Sequence, residues 1–252
     1  MTAAVLDHPV TATTLVDRRP PLTRLVGLEI RKILSTRSGL ALAGTAAVAP
    51  AAVTALMLAL ADPPPGSATL LALLGALVAL LMVAIGVLST AGEWTHGTVQ
   101  TTFLAVPRRS RVLAAKYAGT ALLGAVVATV VVASTLAVAA LGTGPGFSWA
   151  GTGVAIAATI GAGAALTVVG AGIGAAVGNA PAALTGTYLV LLVAINILNG
   201  AKPVWGKHVD PLSAVFDLVE GDAAVRPIAV LTGWVLATAV AGVLVTRRRA
   251  VS

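Results

Sequence analysis

A chain of 252 residues with 58% hydrophobic and only 10% charged side chains cannot coat a water-soluble globule of its size with polar groups. Its formal charge of +7 suggests nucleic acid, but the basic residues sit beside apolar stretches, where they meet anionic lipid, so membrane lipid is the expected partner and nucleic acid is not. Cysteine is absent, which excludes disulfides and thiolate metal sites and leaves the redox compartment unread.

Residues 1–20 carry Asp7, His8, Asp17, Arg18 and Arg19 and no apolar run. They read as a short mobile cytoplasmic tail and not as a cleavable signal peptide. The rest, 21–252, reads as one membrane domain. Pro20 and Pro21 open a helix expected to run to about Ser38. Leu22, Val26, Ile30 and Ile33 share one face and Arg24 and Arg31 lie opposite, the pattern of a helix lying on the inner leaflet. Glu29 falls inside the apolar arc. The simpler expectation, and the preferred one, is that it reaches the headgroups or protonates. The sharper one is that it pairs with a cation on a neighbouring cytoplasmic loop.

Six apolar stretches follow, at 39–61, 69–90, 118–141, 151–177, 182–198 and 228–245, none with an Asp, Glu, Lys, Arg or His. A helix crossing a hydrocarbon core about 30 Å thick needs about 20 residues, so each stretch predicts a span. With the N-terminus inside, 13 of the 16 basic residues fall on cytoplasmic segments, and only Lys202, Lys207 and Arg226 fall outside. That bias predicts six spans with both termini in the cytoplasm, and the plasma membrane as the location.

Pro50 should kink or loosen the first span. Residues 62–66 and 142–148 read as short outer turns. In the fourth span Gly170, Gly174 and Gly178 are four apart, a face that permits close backbone approach or a chance of Gly-rich composition. Residues 178–181 make a tight inner turn, with Pro181 at the first helical position of the next span. Asn196 and Asn199 read as interfacial rather than path-lining. Asp210 can cap a short amphipathic helix that starts at Pro211, turns Leu212, Val215, Phe216 and Val219 to one side, and ends at Gly221. That helix lies on the outer leaflet or dips into it. No internal repeat is evident.

The most informative segment joins the second and third spans. Thr98 can cap a short helix over 99–105, with Val99 and Phe103 on one side. Pro107 stops it, Arg108, Arg109 and Arg111 follow, Ser110 can cap the helix of the third span, and Lys116 sits at the inner boundary. A helical knob held by a basic clamp suits docking to a soluble partner. Glu93 either neutralises a span end or joins a coupling network, and the arginines serve topology with or without a partner contact. His96 reads as a solvated loop residue.

Glu93, Gly97-Thr98, Leu104, Pro107-Arg108-Arg109 and Lys116 resemble the signature of ABC-2-type transporter permeases, which departs here at Trp94-Thr95-His96. Glu29-Ile-Arg31-Lys32 looks like their N-terminal interfacial helix, and 210–214 is similar to their outer segment before the last span. The resemblance implies an all-α fold of six transmembrane helices with an interfacial helix, a cytoplasmic coupling helix at 98–106 and an outer amphipathic helix. It implies a membrane subunit paired with a second permease, the same or homologous, and with two ABC ATPase subunits that bind ATP and Mg. Glu93, Gly97, Thr98, Val99, Phe103, Leu104, Pro107, Arg108, Arg109, Arg111 and Lys116 would then serve ATPase coupling, and Glu29, Arg31 and Lys32 the interfacial helix.

The chain has no Gly-x-x-x-x-Gly-Lys-Ser/Thr loop, so any ATP hydrolysis is expected in a partner, and no catalytic, cofactor or metal residue is expected here. The alternative is an ATPase-independent secondary transporter or channel, disfavoured because no ionisable residue sits at membrane depth. A membrane enzyme lacks an assembled site, with His8, His96 and His208 far apart. A scaffold or immunity-type protein stays open. Spans rich in Ala, Val, Leu, Gly and Thr suit export of an apolar or amphipathic cargo.

Overall fold

The computed structural model describes residues 21–62, 64–95, 97, 109–221 and 224–249. Among these the regular structure is helical throughout, and six helices are long and apolar enough to cross a membrane. The protein is a multi-pass membrane protein.

Helix α1 (Leu22–Ser35) stops three residues earlier than its periodicity predicts. Thr36 adopts an extended backbone and its side chain accepts from Gly39 N at 3.1 Å, capping α2 (Arg37–Leu60). The corner is tight: a Cβ on Gly39 would lie 2.1 Å from Ile33 O. Helix α2 runs through Pro50 without a break in assignment, and Thr54 Oγ1 donates to Pro50 O. Helices α3 (Ser67–Thr95) and α4 (Arg109–Gly142) form the second and third spans. Both extend well beyond their apolar stretches, so Glu93 and Lys116 are helical residues and only 96–108 separate the two helices. Ser110 lies inside the first turn of α4, not at its cap, because the helix already includes Arg109.

Helix α5 (Thr152–Val177) is the fourth span. The fifth is α6 (Ala180–Tyr188), a π-helical stretch Leu189–Ala194, and α7 (Ile195–Ala201). Asn179 caps it, accepting from Ala182 N, and Pro181 lies in its first turn. A single turn, α8 (Pro203–Gly206), leads to α9 (Pro211–Glu220). Helix α10 (Val225–Arg248) is the sixth span.

Helices α3 and α5 are the centre. Their apolar windows are 72% and 61% buried, against 17% for α2 and 22% for both the fifth span and α10. Glycine sets the central contact. A Cβ on Gly86 would lie 2.1 Å from Thr167 O, one on Gly170 2.1 Å from Val83 O, and one on Gly174 2.6 Å from Val87 O. Two of the three expected glycines therefore do pack α5 against α3. Gly178 departs from that face: it ends α5 in the left-handed region at φ 69°. The outer faces of α2, the fifth span and α10 keep Val48, Leu56, Leu192, Ile197, Leu236 and Val240 exposed, the surface a lipid-embedded bundle presents.

Helix α9 follows its expected limits closely. Asp210 accepts from Leu212 N at 2.9 Å and Ser213 N at 3.2 Å, and Gly221 closes the helix at φ 86°. It dips into the bundle, burying Ala214, Val215 and Val219 among α3, α5 and α10. Asn199 is not simply interfacial, because its amide donates to Asp210 Oδ2 at 2.9 Å, whereas Asn196 bonds back to Leu192 O of its own helix.

Candidate functional site

One end of the bundle gathers α1, the C-terminus of α3, the N-terminus of α4 and the junction of α5 with α6. Helix α1 lies across α4 because Gly119 offers no side chain: a Cβ there would meet Glu29 Cβ at 3.1 Å and Val26 O at 3.3 Å. That close approach carries Glu29 from the apolar arc of α1 onto the bundle.

Four side chains then close a ring of alternating charge. Lys116 Nζ bonds Glu29 Oε2 and lies 3.0 Å from Glu93 Oε1. Lys32 Nζ lies 2.8 Å from Glu29 Oε1 and 3.2 Å from Glu93 Oε1. The third donor of Lys116 reaches Ser89 O at 3.3 Å, so every proton of that ammonium has an acceptor. The Lys116 side chain is 3% exposed, Glu29 8%, Glu93 15% and Lys32 44%. A buried charge is tolerable only when paired and hydrogen-bonded, and here, among the described residues, two carboxylates meet two ammoniums. Burial alone would push the Glu29 carboxyl up, yet the Lys116 ammonium and its hydrogen bond, joined by those of Lys32, hold it below the ordinary carboxylate value. Burial likewise pulls Lys32 down, and its bonds to Glu29 and the nearby Glu93 charge raise it above the ordinary lysine value.

The preferred expectation for Glu29 is thereby corrected. It neither reaches headgroups nor stands ready to protonate. Its partners are a cation of the third span, Lys116, and one of its own helix, Lys32. Glu93 does more than neutralise a span end, since it links Lys32 to Lys116. Arg31 lies on the exposed side of α1, outside the ring. Gly97 is described as a turn residue at φ 69°, just after the last turn of α3. Thr98, Val99, Phe103, Leu104, Pro107 and Arg108, together with the expected coupling helix and His96, lie outside the described residues. Arg109 opens α4 and Arg111 lies within its first turn.

A second clasp at the same end had no counterpart in the sequence reading. Arg249 donates to Ala176 O at 2.7 Å and Val177 O at 2.9 Å, where the last carbonyls of α5 favour a cation. Its guanidinium also lies 5.0 Å from the ring centroid of Trp94. Next to Trp94, Thr95 Oγ1 accepts from Ala180 N at 3.1 Å. The last turn of α3 is thus held on one side by the charge ring and on the other by the α5–α6 junction and the end of α10. The arrangement is one of ion pairs and helix-end hydrogen bonds. What it provides is a stiff root for residues 96–108. Among the described residues no group of His, Asp and Glu is arranged to hold a metal.

Compared with known proteins, the chain matches no protein-family model and no curated protein sequence.

Proposed function

We propose that the chain is the permease subunit of an ABC-2-type ATP-binding cassette transporter. It moves an apolar or amphipathic substrate outward across the plasma membrane, with both its termini cytoplasmic, using ATP hydrolysed by a separate ATPase. One observation carries most weight beside the signature residues: the closed ring of Glu29, Lys32, Glu93 and Lys116. Those four residues fall within the two segments that resemble the family, and the ring braces the root of 96–108 against three helices. A loop that passes force from a soluble motor to the spans needs such a root, because a slack one would absorb the motion. Glu93 and Lys116 act here as positioning residues.

A secondary transporter or channel is the second reading. It draws on the π-helical stretch Leu189–Ala194, since irregular helix at membrane depth can line a path. Affinity isolation of the tagged chain from its native membranes separates the two. The permease reading expects a soluble-domain ATPase with a phosphate-binding loop at near-equal molar amounts. Recovery of the intact, folded chain without any such ATPase, across mild detergents and lipid nanodiscs, favours the second reading.

A further inference from the structure

Between the fifth and sixth spans the bundle does not close. A groove of about 770 Å³ runs along α10, and a second of about 350 Å³ lies between α5, α6 and α10, with Trp234 bordering both. The larger volume falls in the range of sites that hold small molecules, roughly 300–1,000 Å³. Its walls are apolar, from Val225 and Val230 to Ala237, except at one end, where His208 and Arg226 stand. Among the described residues that line it none is acidic, and Asp217 meets that end through its bond to Arg226.

Arg226 and His208 are both held in place. Arg226 bonds Asp217 through Nη2 and donates from Nη1 to Lys207 O at 3.1 Å. A guanidinium has five donors, so others remain for a ligand. His208 Nδ1 lies 2.7 Å from Val204 O. A carbonyl only accepts, so Nδ1 carries a proton, and in that tautomer Nε2 is an acceptor left for a donor such as a headgroup hydroxyl. Trp234 is fixed by its Nε1–H bond to Val209 O at 2.8 Å. Gly233 opens the wall further, since a Cβ built there meets nothing within 4 Å.

We propose that this groove binds a membrane lipid with an anionic, hydroxyl-bearing headgroup, its phosphate held by Arg226, a headgroup hydroxyl donating to His208 Nε2, and an acyl chain lying along Val230, Gly233, Trp234 and Ala237. The site's long axis follows a span, apolar along its length with the remaining Arg226 donors at the end, which matches an amphipathic anion and not a soluble one. A second copy is a poorer occupant. A two-fold contact centred on the groove sets like against like and would bring two Arg226–His208 ends together. The assignment stands whether or not an ATPase drives the protein.

The chain has four tryptophans. Replacing Trp94, Trp149 and Trp205 with Phe leaves Trp234 as the only indole. That protein, in phosphatidylcholine nanodiscs, is given equal small fractions of chain-brominated phosphatidylglycerol or chain-brominated phosphatidylcholine. The proposal expects the anionic lipid to quench Trp234 several-fold more strongly. Unbrominated phosphatidylglycerol should relieve that quenching, and Gly233→Leu should protect Trp234 from both lipids. Arg226→Gln should bring the anionic lipid down to the zwitterionic level. The competition arm needs no variant at the site, so it decides the question even if Arg226→Gln fails to fold. Equal quenching by the two lipids would mean bulk lipid only and overturn the site. Weak quenching by both that rises when the protein is dispersed to monomers would mean a second copy covers the groove, and would overturn it equally.

Discussion

Lys116 carries its charge at a position only 2% exposed, and that is possible because all three of its N–H donors have acceptors. Removing one partner of a buried pair strands the other and costs about 3–5 kcal/mol. Lys32 is nearly half exposed, and a pair in contact with solvent contributes about 0–1 kcal/mol. Lys116→Met should therefore lower the thermal midpoint in detergent far more than Lys32→Met does. Equal effects would show that the ring is not held together by its buried half. The acid side offers a separate check. Glu29 is depressed below its ordinary value of 4.5, so its contribution is complete above that value and is lost as pH falls through the lower folded one. Lys32 has the opposite sign: its contribution is complete below 10.5 and is lost as pH rises past it. Between those limits the contributions of Glu29 and Lys32 should hold constant. Glu29→Gln should be less stable than the parent by a fixed amount at neutral pH, and the gap should shrink below pH 4.5, as read from thermal midpoints across an acid series. The sign of the ring was visible in the sequence as a carboxylate on the wrong face of α1. Its partner was not, because Lys116 lies 87 residues away and only the close crossing at Gly119 brings the two together.

Helix limits were the legible part at the next scale, where one side chain decides them. Asp210, Pro211 and Gly221 bound α9 as expected, since a cap, a fixed φ and a left-handed glycine act locally. Where the competing signal is also local but weaker, expectation and structure part. The apolar face of α1 continues to about Ser38, yet Thr36 caps the next helix and ends the first. The π-helical stretch in the fifth span has no signal of its own, because the unbroken apolar run Leu189–Ala194 suits an ordinary α-helix equally well. The glycines of α5 were readable as a spacing and not as a contact, since spacing does not say which helix faces them. Gly170→Leu should abolish most of the folded yield, because a Cβ there would lie 2.1 Å from Val83 O and the two central helices would have to part. Gly161→Leu on the same helix meets nothing within 4 Å and should fold like the parent. Monodisperse yield in detergent tests this, and similar losses at both sites would remove the central packing argument.

At the scale of the molecule, the six spans were legible because bilayer thickness fixes their length whatever they pack against. Their arrangement was not, because α2 and α5 are similarly apolar yet 17% and 61% buried. The two ends of the bundle differ in charge. One carries Lys32, Arg37, Arg111, Lys116 and Arg247 to Arg249, and the other carries Lys202, Lys207 and Arg226. By the positive-inside bias, the proposed orientation has the first end in the cytoplasm. Cysteines introduced at Ser148 and Lys207 should react with an impermeant reagent on intact cells, and one at Arg248 only after permeabilisation. The reverse pattern would invert the orientation, and reaction of all three from one side would contradict the six-span bundle.

On the proposed function, residues 96–108 meet an ATPase. Val99 and Phe103 form the apolar side expected of a helix too short to be stable alone, so it needs a surface to bury them. A photoreactive phenylalanine analogue placed at Phe103, activated by light in native membranes, reads that surface directly. The account predicts a crosslink to a separate polypeptide that carries a Gly-x-x-x-x-Gly-Lys-Ser/Thr loop, and loss of that crosslink in Lys116→Met protein that still inserts. Crosslinks confined to this chain or to lipid would contradict it.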